Sequence, residues 1–249
     1  MTLRPVRRAV ALGFAIAICI VRYWLKRLRG HMTLEQRALW LRQAARGVLG
    51  SLDMRSQIDG RIPSHGLVVS NHLSYLDIVI ISAAMPCFFV SKIEVGGWPI
   101  FGKAARSGGT IFLDRSSTES AMLVADEISA RLKLPVPVLL FPEGTSTDGK
   151  QILRFHSRLI DPATSAGVPI TAAGIRYVLD DGLEERELCW YGDESFVTHL
   201  WKVLGVKRFS VLLHFGEPHI YTDRRVAADA THAEITAWRE ATAAEQASG

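Results

Sequence analysis

From Arg61 onward, short apolar runs rich in β-forming residues alternate with segments of helical periodicity, and this alternation constrains the fold more than any other feature of the chain. The expected strands are 66–70, 87–91, 110–113, 136–141, 169–175, 188–191 and 210–215. The expected helices are 75–84, 100–105, 118–132, 159–166, 196–204 and a polar, alanine-rich one over 225–247. Strand–helix alternation with near-continuous apolar strands implies an α/β domain with a largely parallel central sheet flanked by helices. Ligands of such sheets bind beyond the carboxyl ends of the strands.

At 249 residues, 48% apolar and 22% charged, the chain suits one ordinary domain with an appended terminal element and excludes disordered, collagen-like and coiled-coil classes. Cys19, Cys87 and Cys189 are too far apart for a zinc cluster or a disulfide framework, so a reducing compartment is expected. Of the histidines outside the motifs below, only His214 and His219, flanking a Gly-Glu-Pro turn, come near a metal-ligand spacing, and no metal is expected there.

Charge is unevenly placed. Residues 1–30 hold seven basic groups and no acid, whereas the other 219 carry 22 basic against 25 acidic, net −3. A nucleic-acid stripe would spread its cations differently, so no nucleic-acid partner is expected. Between the basic clusters, residues 9–21 contain no polar side chain. A helix of that run covers roughly 20 Å, short of the ~30 Å hydrocarbon core, which favours a leaflet anchor over a span. A cleaved signal is the bland alternative, but no small-residue cleavage site follows the run. The cations then face anionic headgroups, giving membrane lipids as partners. Residues 34–49 form a second, amphipathic helix, either packed on the domain or facing the membrane. The expected organisation is membrane-associated helices over 1–55, an α/β domain over 56–224 and a polar helix over 225–249.

Four segments carry chemistry. In Asn71-His72-Leu73-Ser74-Tyr75-Leu76-Asp77, His72 suits proton abstraction near neutral pH and Asp77 can fix its tautomer. Five positions apart on one helix the two side chains diverge by ~140°, so they meet only if His72 sits on the turn before the helix. The competing reading makes Ser74-x-x-Asp77 a capping box. In Phe141-Pro142-Glu143-Gly144-Thr145-Ser146, Glu143 ends a strand within a turn, where it can meet a polar substrate or orient a neighbour, or be a solvated turn residue. The overlapping G-x4-G-K of Gly144 to Lys150 imitates a nucleotide loop, but Gln151 lacks the hydroxyl that would hold magnesium. Arg115, closing Gly109-Thr-Ile-Phe-Leu-Asp114-Arg115, can clamp a phosphate or pair with local acids. Ala166-Gly167-Val168-Pro169-Ile170 reads as a helix stop and a buried strand.

In their order and spacing, NHLSYLD, GTIFLDR, FPEGTS and AGVPI resemble the four successive motifs of the 1-acylglycerol-3-phosphate acyltransferases and wider glycerolipid acyltransferases, over residues 60–180. The resemblance extends weakly to Ser91-Lys92-Ile93-Glu94 and Pro99-Ile100-Phe101-Gly102. It implies acyl transfer from acyl-CoA or acyl-carrier protein to a lysolipid hydroxyl, with no metal or organic cofactor, at a membrane, on the cytoplasmic face of the inner membrane. His72 would be the general base and Asp77 its orienting partner. Arg115 and Lys92 would receive the acceptor's phosphate, and Glu143, Gly144 and Thr145 would line the acceptor side. Two departures from the family pattern stand out: Ser146 where many members have Arg, and Phe155-His156-Ser157-Arg158 where Lys and Gly are common, with Arg158 a substitute cation. Other acceptors, such as lyso-ornithine lipid, stay open, as do a thioester hydrolase and a non-catalytic membrane module; no G-x-S-x-G elbow is present to support the hydrolase.

Overall fold

A computed structural model describes residues 3–98, 100–114, 118–180 and 182–248. Two long helices, α1 (Arg4–Leu28) and α2 (Leu34–Ser51), precede strand β1 (Arg55–Asp59). The domain continues as β2 (Leu67–Ser70), α3 (Tyr75–Ala84), β3 (Phe88–Lys92), α4 (Phe101–Gly108), β4 (Ile111–Leu113) and α5 (Thr118–Leu132). It closes with β5 (Val138–Leu140), α6 (Asp161–Ala166), β6 (Ile170–Leu179), α7 (Phe196–Gly205), β7 (Phe209–Phe215) and α8 (Arg224–Ser248). The strands form a seven-stranded sheet of order β1-β7-β6-β2-β5-β3-β4 among the described residues, parallel throughout except for the antiparallel β6–β7 pair.

Successive residues of β2 serve opposite layers: Val68 packs with α3 and α7, and Leu67 and Val69 pack with α5, α6 and α8, all three fully buried. Each such side chain contributes about 1.5–3 kcal/mol through burial. The register aligns the centre of the sheet, with Val69 opposite Leu140 of β5 and Ser70 opposite Ala173 of β6. The turns after β2 and β5 therefore leave the sheet side by side, and the sequence places the two polar motifs there.

Two expectations need correction. Residues 188–191 are not a strand: Leu188 and Cys189 donate to the carbonyls of Glu185 and Arg186, local turns that follow a 3-10 segment at Glu185–Glu187. Their apolar character reflects packing, since Leu188 and Cys189 are buried, and Trp190 N–H donates to Leu73 O (2.9 Å) above the first motif. Conversely β1 is not among the expected strands, because Arg-Ser-Gln-Ile-Asp is exposed at every position; it holds its edge through the parallel ladder with β7 and the Asp59–His214 pair (2.7 Å). The nucleotide-loop alternative also fails, since no helix opens directly from Lys150: residues 151–156 are irregular. Helix α8, set apart in the sequence as a polar appendage, contributes Ala227, Ala228 and Ile235 to the core.

Helix α1 runs well beyond the apolar stretch. Its inner face holds Leu12 and Arg8, and its outer face exposes Val6, Val10, Phe14, Ile18, Val21 and Leu25 at intervals of three or four. Trp40 Nε1 on α2 donates to Cys19 O (3.2 Å), and the Arg4 guanidinium donates to Gly205 O (3.1 Å). Arg8, 2% exposed, donates to the carbonyls of Leu204, Val206 and Lys207 at the end of α7. These carbonyls would otherwise lack partners at a helix C-terminus. Replacing Arg8 by Ala is expected to cost about 1–3 kcal/mol, a fall in Tm of several degrees, and to expose α1 to protease. Arg7→Ala, which breaks the exposed bridge to Asp53, should leave Tm nearly unchanged.

Candidate active site

The first motif resolves its geometric problem by bending. Residues 71–74 form the turn after β2, Ser74 caps α3, and Asp77 is the third residue of the helix, so its carboxylate reaches back over the turn. Asp77 Oδ2 accepts from Leu73 N (2.7 Å), Ser74 N (3.0 Å) and His72 Nδ1 (2.8 Å). The bonds that cap α3 and the bond that holds His72 thus share one carboxylate oxygen. Asp77 is fully buried, while the His72 side chain remains 19% exposed. With Nδ1–H given to Asp77, Nε2 carries the free lone pair.

Three further groups fix this turn. Asn71 exchanges two hydrogen bonds with the Ile175 backbone of β6, its amide N donating to the carbonyl (3.1 Å) and its Oδ1 accepting from the N–H (2.8 Å). The imidazole of His72 stacks on the Phe141 ring at 4.2 Å and 19°. Tyr177 on β6 donates its hydroxyl to Asp77 Oδ1, so both carboxylate oxygens are engaged. Burial, reinforced by Asp77, pushes the Tyr177 phenol well above its ordinary pKa and keeps it a donor. Sequence reasoning missed Tyr177 because it lies 100 residues from its partner in an apolar strand; an inward-facing tyrosine that needs a polar mate was the available signal.

Glu143 is a bridge. Its Oε1 accepts from His72 N (2.7 Å) and its Oε2 from Leu153 N (2.8 Å), so one carboxylate ties the His72 turn to the loop carrying residues 153–158. It does not line the cleft; Pro142, Gly144, Thr145 and Ser146 do. Gly144 has φ 75°, a left-handed turn that points the following residues to the cleft. The Glu143 side chain, 4% exposed, has its pKa raised to about 7 because burial outweighs the two backbone bonds.

His72 opens into a cleft of about 1210 Å³. One wall is apolar: Leu41, Ala44, Ala45 and Val48 of α2 face Ile78 and Val79 of α3, with Trp98, Phe101 and Trp190 closing it. The amphipathic face of α2 therefore packs on the domain and builds this wall. The charged lining is mostly cationic: Lys92, Arg154, Arg158, Arg224 and Arg225 against Glu94, the one lining carboxylate among the described residues. Arg115 lies outside the described residues. Among those described, no three His, Cys, Asp or Glu side chains group as metal ligands.

Comparison with known proteins agrees with this picture. A family model described as Acyltransferase matches residues 55–176. The lyso-ornithine lipid O-acyltransferase of Pseudomonas aeruginosa is 32% identical over 213 residues, 84% of this chain and 80% of that protein. The 1-acyl-sn-glycerol-3-phosphate acyltransferase of Neisseria meningitidis is 30% identical over 207 residues, 80% of this chain and 81% of that one. The crystal structure of the 1-acyl-sn-glycerophosphate acyltransferase PlsC from Thermotoga maritima shares the fold, with a TM-score of 0.71 at 18% identity over 97% of this chain and 95% of that one. Fold and family together define an acyltransferase. The chain belongs to the glycerolipid acyltransferase family and is of the lysophospholipid type.

Two substitutions test the geometry. In Tyr177→Phe a buried carboxylate oxygen loses its donor, a loss worth about 1–3 kcal/mol. Steady-state kinetics should show kcat down by about tenfold with KM little changed; a lower Tm with unaltered kcat would restrict Tyr177 to the fold. In Glu143→Gln an amide NH2 opposes one of two backbone N–H groups, and kcat should fall by a similar factor. The folded pKa of Glu143 lies above its ordinary value of 4.5, so the protonated group favours folding below that value and the benefit is lost as pH rises through about 7. Gln does not titrate, so thermal melts from about pH 5 to about pH 8 should show the parent losing ground to the variant; a constant difference would refute the shift.

Proposed function

We propose that this chain transfers a fatty acyl group from acyl-CoA or acyl-carrier protein to the free hydroxyl of 1-acylglycerol-3-phosphate, forming phosphatidate. The observation that carries the reading is the His72 imidazole, held by Asp77 through Nδ1 in a cleft lined by both apolar and cationic side chains. His72 Nε2 takes the hydroxyl proton, and the alkoxide oxygen attacks the thioester carbonyl carbon. The tetrahedral intermediate expels the thiolate, which receives the proton from the imidazolium, while Asp77 stabilises the imidazolium in between. General-base help of this kind contributes ~10²–10⁴-fold. The scheme draws on no metal or organic cofactor. The apolar wall suits an acyl chain, and five cations against one carboxylate suit a phosphate-bearing acceptor better than a zwitterion.

Membrane association follows from α1. With one side held against α2 and α7, its exposed apolar stripe suits a helix lying in the interface, flanked by Arg22, Lys26, Arg27 and Arg29 for anionic headgroups, on the cytoplasmic side of the inner membrane.

A second reading, with lyso-ornithine lipid as acceptor, is favoured by the name of the Pseudomonas aeruginosa relative and by Ser146 in place of the arginine common in the family.

Purified protein and labelled acyl-CoA, offered lysophosphatidate, glycerol 3-phosphate, lysophosphatidylcholine, lyso-ornithine lipid or no acceptor, should give product with lysophosphatidate. Product on lyso-ornithine lipid alone would transfer the assignment to the second reading, and free fatty acid without acceptor would make it a hydrolase. His72→Ala should abolish transfer while sedimentation with anionic vesicles persists; residual transfer within tenfold of the parent would remove His72 as the base.

A further inference from the structure

We infer that Arg239 of α8, paired with Glu185, is a positioning group for His72 and Asp77, holding the turn that carries them from behind. The inference rests on the reading of His72 as the base and adds to it residues outside the matched region 55–176. Neither Arg239 nor Glu185 lines the cleft, so both act on the reaction through other residues.

Three supports of the His72 turn lead to this one guanidinium. The first is Ile175 on β6. Its carbonyl accepts from Asn71 Nδ2 at 3.1 Å and from Arg239 at 2.5 Å, so the residue before His72 and the arginine share one oxygen. The second runs through Glu185. Its Oε1 accepts from Tyr177 N (2.9 Å) and Arg239 (3.2 Å), its Oε2 accepts from Arg239 (2.8 Å), and the hydroxyl of the same tyrosine donates to Asp77. The third is the loop after β5. Arg239 donates to Gly149 O (2.7 Å), and two residues earlier Thr147 N donates to His72 O (3.0 Å).

The loop is shaped for this approach. Gly149 has φ 81°, and a Cβ there would stand 2.9 Å from Glu185 Oε2, an atom already held in the ion pair. The glycine that makes residues 144–150 imitate a nucleotide loop thus serves contact with the Arg239–Glu185 pair. Arg239 is buried, and burying an ion pair costs solvation that the mutual attraction barely repays, so what the pair adds is direction rather than net stability. A planar guanidinium sets Ile175 O, Gly149 O and the Glu185 carboxylate at fixed angles to one another, which a lysine ammonium does not. Without it two carbonyls lose a donor, Glu185 is left without its cation, and the three supports no longer move as one.

The test uses the full chain in detergent micelles and compares Arg239→Gln, Arg239→Lys and Glu185→Gln with Ile235→Val, a core substitution that loosens α8 without touching the network. With labelled acyl-CoA and the lysolipid acceptor that the parent turns over, Arg239→Gln should lower kcat at least about tenfold while KM for either substrate stays within about twofold. Arg239→Lys should recover part of the loss, since an ammonium still reaches one or two of the acceptors, and Ile235→Val should lower Tm with kcat unchanged. Independently of turnover, 15N NMR of histidine-labelled protein should show the Nδ1-protonated tautomer of His72 lost or mixed in Arg239→Gln and kept in Ile235→Val. Either effect beyond the Ile235→Val control supports the role, and a folded Arg239→Gln that matches the control in both kcat and tautomer would overturn it. Should Arg239→Gln not fold, Glu185→Gln decides by the same comparison. A parent that turns over no acceptor, yet shows a tautomer that Arg239→Gln loses, would sustain the positioning role and sink the acyl-transfer reading alone.

Discussion

One buried carboxylate organises the His72 end of this fold. Asp77 collects the imidazole N–H of His72, two backbone N–H groups of its own turn and the hydroxyl of Tyr177 from the neighbouring strand. A charge with no exposure to water is tolerable only with this degree of satisfaction, and each donor also fixes a direction. The backbone donors start α3, the imidazole is aimed outward, and the tyrosine locks the turn to β6. Helix capping and imidazole orientation are therefore met by the same carboxylate, which is why two side chains five residues apart, divergent on a straight helix, meet here.

The sheet makes that constellation repeatable. Parallel alignment of β2 with β5 delivers the His72 and Glu143 turns to one edge, where Glu143 joins them through two backbone N–H bonds. The Asn71–Ile175 pair extends the alignment past the last ladder bond of β2 and β6. Beyond this edge the cleft is lined by apolar side chains of α2 and α3 and by guanidinium groups from the 153–158 loop and α8.

Much of this was legible in the sequence because the relevant forces are local. Apolar runs and turn residues place the central strands and most helices close to their expected positions, and the N-cap spacing of Ser74 and Asp77 locates the start of α3. What escaped depends on contacts distant along the chain. Strand β1 carries no apolar pattern because it sits exposed on the sheet edge. Residues 188–191 imitate a strand because Leu188 and Cys189 are buried, although their backbone bonds are turns. Tyr177 and Leu153 act only through partners far away in sequence, and Glu143, expected to face the acceptor, spends its oxygens on backbone groups.

The most direct test of the central claim is the tautomer of His72, read by 15N NMR of protein labelled at histidine, with His72→Gln identifying the resonances. The account predicts a neutral imidazole protonated at Nδ1, with Nε2 bare toward the cleft, and loss of that preference in Asp77→Asn. A neutral ring protonated at Nε2, or a tautomer indifferent to the residue at position 77, would contradict it.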